Sequence, residues 1–317
     1  MTSAERLSVT VADLAFQNPI ILASGTAGYG VELADVMDLE TIGGLTTKAV
    51  SLEPRVGNPA PRVAELDEGM INSVGLANPG LERVKATYLP WLASHLTRTR
   101  KLVNVVGSVV EDYARVIAEL DACAESLGPS AIDAFELNVS CPNVKAGGVE
   151  FGADAESLRS VIKLARAETR RPIFVKLSPI LPDIARTAKV AVDAGADGLT
   201  LVNTLPGLAI DVEQRRPMLG FGTGGVSGPG LLPVGVLATW RASRAVNVPI
   251  IGIGGVRSAT DALQYMMAGA SLVGIGTAAM RDPRAPVRIV KDLGAWCERQ
   301  GVRSLADIVG TLDWKPA

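Results

Sequence analysis

Eight short apolar runs, each separated from the next by a stretch with helical spacing, restrict this chain's fold more than any other feature. They occupy residues 20–23, 44–47, 102–106, 134–137, 173–177, 198–202, 250–253 and 272–275. Their apolar residues are near-continuous rather than alternating, as strands buried on both faces require. Eight such strands interleaved with helices predict an α/β fold, the closed (β/α)8 or TIM barrel. The joints agree. Ala194-Gly195-Ala196-Asp197 and Ala268-Gly269-Ala270-Ser271 each place glycine between a helix and the following strand, where a C-terminal cap favours it. Residues 7–16 alternate around Val9, Val11, Leu14 and Phe16 with Ala12-Asp13 as a turn, predicting a short hairpin that plugs the barrel bottom. Proline-rich 53–62 and glycine-rich 219–230 read as loop insertions at the C-terminal face. No Pro-, Gly- or Ser-rich linker divides the chain, so residues 1–317 are expected to form one domain.

Composition narrows the function. The chain is 48% hydrophobic but only 4% aromatic, so Val, Leu, Ile and Ala must build the core. A formal net charge of −2 provides no basic field for nucleic acid. No apolar run reaches membrane-spanning length, and the N-terminus resembles neither a signal peptide nor an amphipathic anchor. Three widely spaced cysteines argue against a disulfide framework and fit a reducing cytoplasm. Three are also too few for a four-cysteine iron–sulfur cluster. Cys123 and Cys297 follow apolar residues at helical spacing and read as core. His95, the sole histidine, reads as a surface residue ending a helix, and without a second histidine no catalytic metal site is expected.

In such barrels the working face lies at the strand C-termini. The first strand ends in Ala23-Ser24-Gly25-Thr26. The second ends in Thr46-Thr47-Lys48-Ala49, and the loop beyond carries Asn72-Ser73-Val74-Gly75-Leu76. The third offers Asn104, the fourth Asn138-Val139-Ser140-Cys141-Pro142-Asn143, the fifth Lys176 and the sixth Asn203-Thr204. The last two deliver Gly254-Gly255 and Gly276-Thr277. These glycine turns let backbone N–H groups approach phosphate oxygens where barrels of this class bind them; the plainer alternative is a tight βα turn. Gly252-Ile253-Gly254-Gly255 lacks the third glycine of the dinucleotide fingerprint and follows a late strand, so a mononucleotide fits better than NAD. Lys48 and Lys176 would be partly desolvated and in need of an anion, unless they snorkel to the rim. Asn72, Asn138, Asn143 and Asn203 suit a small planar ligand with alternating carbonyl and N–H groups, although each alone could be a turn residue. Pro142 pushes Cys141 into an extended or turn conformation; the alternative is a buried free cysteine.

These motifs, in this order and over nearly the whole chain, resemble the dihydroorotate dehydrogenases, flavin enzymes of pyrimidine synthesis. Cysteine at position 141 is similar to the soluble class 1 branch, and Val144 to Gly152 resembles its B type. The resemblance implies one FMN per chain. Its phosphate would lie on Gly254, Gly255, Gly276 and Thr277 with Gly228 nearby, while Ser24, Lys48, Ala49, Asn104, Asn138, Lys176 and Val202 contact the rest. A cation such as Lys176 beside the ring would favour its reduced form. Dihydroorotate would be held by Lys48, Asn72, Ser73, Val74, Gly75, Leu76, Asn138, Asn203 and Thr204, with Asn143 a further candidate, and Cys141 would act as general base. By the same likeness the chain is the catalytic subunit of a heterotetramer built on a homodimer core. Its partner subunit carries FAD and a [2Fe–2S] cluster and uses NAD+. Gly147-Gly148 suggests a hinge for a closing loop. The competing readings are a stand-alone class 1A type using fumarate, a barrel like dihydropyrimidine dehydrogenase, and a non-catalytic barrel that merely binds a phosphorylated ligand.

Overall fold

The computed structural model describes residues 3–128, 131–140 and 151–314. Eight parallel strands close a barrel in which every sequential pair is hydrogen-bonded. They are β1 (Ile20–Leu22), β2 (Gly44–Thr46), β3 (Arg100–Val105), β4 (Ala134–Asn138), β5 (Ile173–Leu177), β6 (Gly198–Leu201), β7 (Ile250–Ile253) and β8 (Leu272–Ile275). Each expected run is a strand, shifted by at most two residues at an end.

Helices pack outside because each carries an apolar stripe at 3.6-residue spacing. The helix Val110–Leu127 buries Tyr113, Val116, Ile117, Leu120 and Ala124, and Ala155–Ala167 buries Leu158, Val161, Ile162 and Ala165. Side chains start several of them: Asp154 accepts from Ser157 N at 2.8 Å, and Asp183 from Arg186 N at 3.0 Å. Gly195 and Gly269 follow two helices at φ +112° and +118°, the conformation that selects glycine. The expected hairpin forms between Val9–Val11 and Leu14–Phe16. Ala12 and Asp13 turn it at φ +48° and +63°, as tight hairpin turns require. Val9, Val11 and Phe16 pack against the inward residues Ile21, Leu102, Ala134, Phe174, Ile251 and Leu272, which seals the barrel's lower end.

One expectation needs correction. The glycine-rich segment 219–230 is not simply a loop: Gly224–Ser227 is a strand of a second sheet. That antiparallel sheet runs Leu205–Gly207, Gly224–Ser227, Gly69–Asn72, Val63–Leu66, joining the excursions after β2 and β6 over the barrel mouth. Glycine is needed there because the strand lies against its neighbours. A Cβ on Gly225 would sit 2.0 Å from Thr204 Oγ1, and one on Gly224 would sit 2.5 Å from Asn72 O. His95 is exposed and stacks on Trp91 at 4.6 Å. Cys297 is buried, and Cys123 is partly buried against the core. Among the described residues, no helix is long and apolar enough to cross a membrane.

Candidate active site

The barrel mouth and the overlying sheet enclose a cavity of about 1030 Å³. That lies at the top of the roughly 300–1,000 Å³ range of small-molecule pockets, leaving room for two planar ligands side by side. Every described residue singled out for ligand contact lines it, with one exception treated below.

At one end stand the glycine turns of β7 and β8. Gly254 and Gly255 adopt φ +125° and +74°. Tyr265 fixes this turn from behind, donating to Ile253 O at 2.8 Å and Gly254 O at 2.9 Å. Burial, with the charge of Asp261 adding to it, pushes the Tyr265 hydroxyl far above its ordinary pKa, so it remains a donor. Thr277 Oγ1 donates to Ser227 Oγ at 2.8 Å and ties the β8 turn to the covering sheet. Gly228, at φ +120°, closes that side, where a Cβ would come 2.5 Å from Gly69 Cα. The bare backbone at Gly254, Gly255 and Gly276 fits a phosphate. Gly255→Ala would place its Cβ 2.5 Å from Leu232 N at a left-handed φ. It is expected to cost about 1–3 kcal/mol and to lower ligand retention. Thermal unfolding together with bound-ligand content checks this.

The opposite side is an amide network. Asn203 Nδ2 donates to Ser140 Oγ at 2.7 Å, Ser140 Oγ lies 3.2 Å from Asn138 Oδ1, and Thr204 N donates to Asn203 Oδ1 at 2.8 Å. Tyr113 Oη donates to Asn138 O at 3.0 Å and holds the end of β4 from outside. Asn72 Nδ2 donates to Gly225 O at 3.2 Å, so the covering sheet positions it. After it, Gly75 and Leu76 turn at φ +70° and +58°. Ser73 Oγ is buried in the cavity wall without a hydrogen-bond partner among the described residues, a group that fits a polar ligand. Val74 completes this stretch of wall. Ser24 Oγ donates to Thr47 O at 2.8 Å, and Lys48 N to Gly28 O at 2.7 Å, bringing Ser24, Lys48 and Ala49 to the wall from β1 and β2. Val202 lines it directly after β6. Lysines, amides and the bare glycine turns together fit FMN beside a small polar planar substrate.

Lys176, 6% exposed, rises from β5 into the cavity. Its Nζ lies 3.9 Å from Glu136 Oε1. Asn104 is the exception: it is fully buried in the barrel interior and does not line the cavity. Its register partner is Glu136, one pleat before Asn138, and its Nδ2 donates to Glu136 Oε1 at 2.6 Å. It stands beneath the wall rather than in it. Sequence reasoning missed Glu136 and Ser140. The signal for Glu136 was present, since it shares strand parity with Asn138 and is the only charged residue in that strand.

Cys141 and Asn143, with Lys145 and Gly147-Gly148, lie outside the described residues. The flanks are clear: Ser140 lines the cavity, and Gly152 N donates to Val139 O at 3.0 Å. The chain therefore leaves and rejoins the fold beside the amide network.

Comparison with known proteins agrees with this geometry. A family model described as dihydroorotate dehydrogenase matches residues 6–296. A protein of Pelobacter propionicus named dihydroorotate dehydrogenase B (NAD(+)), catalytic subunit, is 46% identical over 97% of this chain and 98% of its own length. One of Solibacter usitatus, named provisionally a dihydroorotate dehydrogenase A (fumarate), is also 46% identical, over the same shares. Among solved structures, a DHODH of Eimeria tenella in complex with ferulenol superposes with a TM-score of 0.82 at 26% identity, covering 96% of this chain and 88% of that one.

Proposed function

This chain belongs to the dihydroorotate dehydrogenase family, and we propose that it oxidises (S)-dihydroorotate to orotate in pyrimidine biosynthesis as a single FMN-binding barrel domain. The observation that carries this reading is one cavity with bare glycine turns at one end and lysines and amides at the other. Gly228, Gly254, Gly255, Gly276 and Thr277 would hold the FMN phosphate. Ser24, Lys48, Ala49, Asn138, Lys176 and Val202 would flank the ring, and Asn104 would brace it from below. Bound FMN supplies a hydride acceptor. Lys48, Asn72 to Leu76, Asn138, Asn143, Asn203 and Thr204 would orient dihydroorotate over it, and Cys141 would take the C5 proton. A yellow protein bleached by dihydroorotate but not by dihydrouracil supports the reading. A chain that neither carries nor takes up FMN overturns it.

The partner we propose is a subunit with FAD and a [2Fe–2S] cluster that delivers electrons to NAD+, in a heterotetramer around a homodimer of this chain. The B-type relatives, named as catalytic subunits, support it. The equally similar A-type relative favours a second reading, direct turnover with fumarate. Fumarate assays on the isolated chain separate the two.

Lys176 is the cation proposed to favour the reduced ring. Lys176→Ala is expected to weaken FMN retention and lower its reduction potential, because the buried positive charge is lost. Redox titration checks this, and full flavin content with an unchanged potential would rule the role out.

A further inference from the structure

Strand β4 turns Ala134, Glu136 and Asn138 inward. Ala134 belongs to the apolar plug below, and Asn138 lines the cavity above. Glu136 lies between them, 0% exposed. A carboxylate so placed is costly unless paired and hydrogen-bonded, and apolar residues of similar size often serve such a core as well or better. Packing therefore does not account for it. Its contacts point upward. Oε1 accepts from Asn104 Nδ2 at 2.6 Å and lies 3.9 Å from Lys176 Nζ. Oε2 has no partner among the described residues, and neither have Asn104 Oδ1 nor the hydroxyls of Thr46 and Thr200. Asn104 thus directs an N–H at the carboxylate, which lies directly under the cavity's buried cation.

We infer that Glu136, braced by Asn104, is a positioning residue that anchors Lys176 and sets the net charge beneath the cofactor ring. This rests on the reading that the cavity seats FMN. With both groups ionised the pair is neutral, so Lys176 acts as a located local cation and not as a free unit charge. Glu136 then limits how far the site favours reduced over oxidised FMN.

The test is a charge cycle read by redox titration of the FMN-loaded protein. Glu136→Gln keeps the shape and an oxygen acceptor for Asn104 but removes the charge. It is expected to tighten binding of reduced relative to oxidised FMN about tenfold, the order that one unit charge gives across roughly 10 Å at an effective dielectric of about 20. For a two-electron couple that is about +30 mV. Lys176→Met should shift the potential the opposite way. The double variant Lys176→Met with Glu136→Gln, neutral again, should return toward wild type. An unchanged or lowered potential in Glu136→Gln overturns the inference. Should Glu136→Gln not retain FMN, the double variant decides: a potential no nearer wild type than that of Lys176→Met alone overturns it, since a purely structural role predicts additive damage. A wild-type protein that binds no FMN would instead defeat the functional reading itself.

Discussion

Replacing Cys141 with alanine is expected to leave FMN bound and to slow its reduction by dihydroorotate about 10²–10⁴-fold, the usual worth of a positioned general base. Binding should survive because most of the proposed cofactor contacts lie on other elements, the β7 and β8 turns, Lys176, Ser24 and Lys48, with Asn138 alone on β4. The chemistry should not survive, because the amides of Asn138 and Asn203 already engage Ser140, and an amide is a poor proton acceptor. The pH dependence follows from the thiol. Its ordinary pKa is about 8.5, and only the thiolate accepts a proton, so the wild-type rate should rise with pH and level off above the thiol's pKa. Alanine should abolish that rise, and serine should be intermediate at best. Stopped-flow reduction across pH measures all three, and near-wild-type reduction of the alanine variant would defeat the assignment.

The isolated chain is expected to turn over with a dye or oxygen and almost not at all with NAD+. No Gly-x-Gly-x-x-Gly turn follows an early strand to bind a dinucleotide. Among the described residues no three His, Cys, Asp or Glu groups gather into a metal-binding cluster. Burial pushes the thiols of Cys123 and Cys297 upward, away from the thiolate that ligation needs. On the proposed function, electrons would leave through an acceptor entering the mouth or through a second protein. Adding the iron–sulfur flavoprotein subunit should restore NAD+ reduction. Brisk NAD+ reduction by the pure chain would sink this, and fumarate-supported turnover would make the protein the stand-alone type.

The barrel was legible because parallel strands buried on both faces read as uninterrupted apolar runs, and Gly195 and Gly269 punctuate the joints. The glycine turns at Gly254 and Gly276 were legible for the same reason: a backbone left bare leaves a mark in composition. The covering sheet was not. Val63–Leu66 is half exposed and Gly224–Ser227 opens on two glycines, so neither shows the alternation that announces a strand. Asn104 and Glu136 are harder to read. Strand parity turns both inward, but height within the interior decides whether a side chain meets ligand or supports one that does. Height depends on register between strands, which one strand's sequence does not carry.

The covering sheet also orders events during synthesis. Its first hairpin, Val63–Leu66 with Gly69–Asn72, is local and can form as soon as it is made. Its partner arrives far later: Asn72 pairs with Gly225, 153 residues on. Closing a loop of that length costs about 4–5 kcal/mol in chain entropy on the logarithmic scaling, a cost met only once the barrel strands between have paired. A nascent chain that has emerged only through β5 thus carries Lys48, Lys176 and the first hairpin of the roof, but neither its later strands nor the glycine turns of β7 and β8. On the proposed function, cofactor capture would be a late event, gated by the final third of the polypeptide, and an unfinished chain would hold no half-built redox centre.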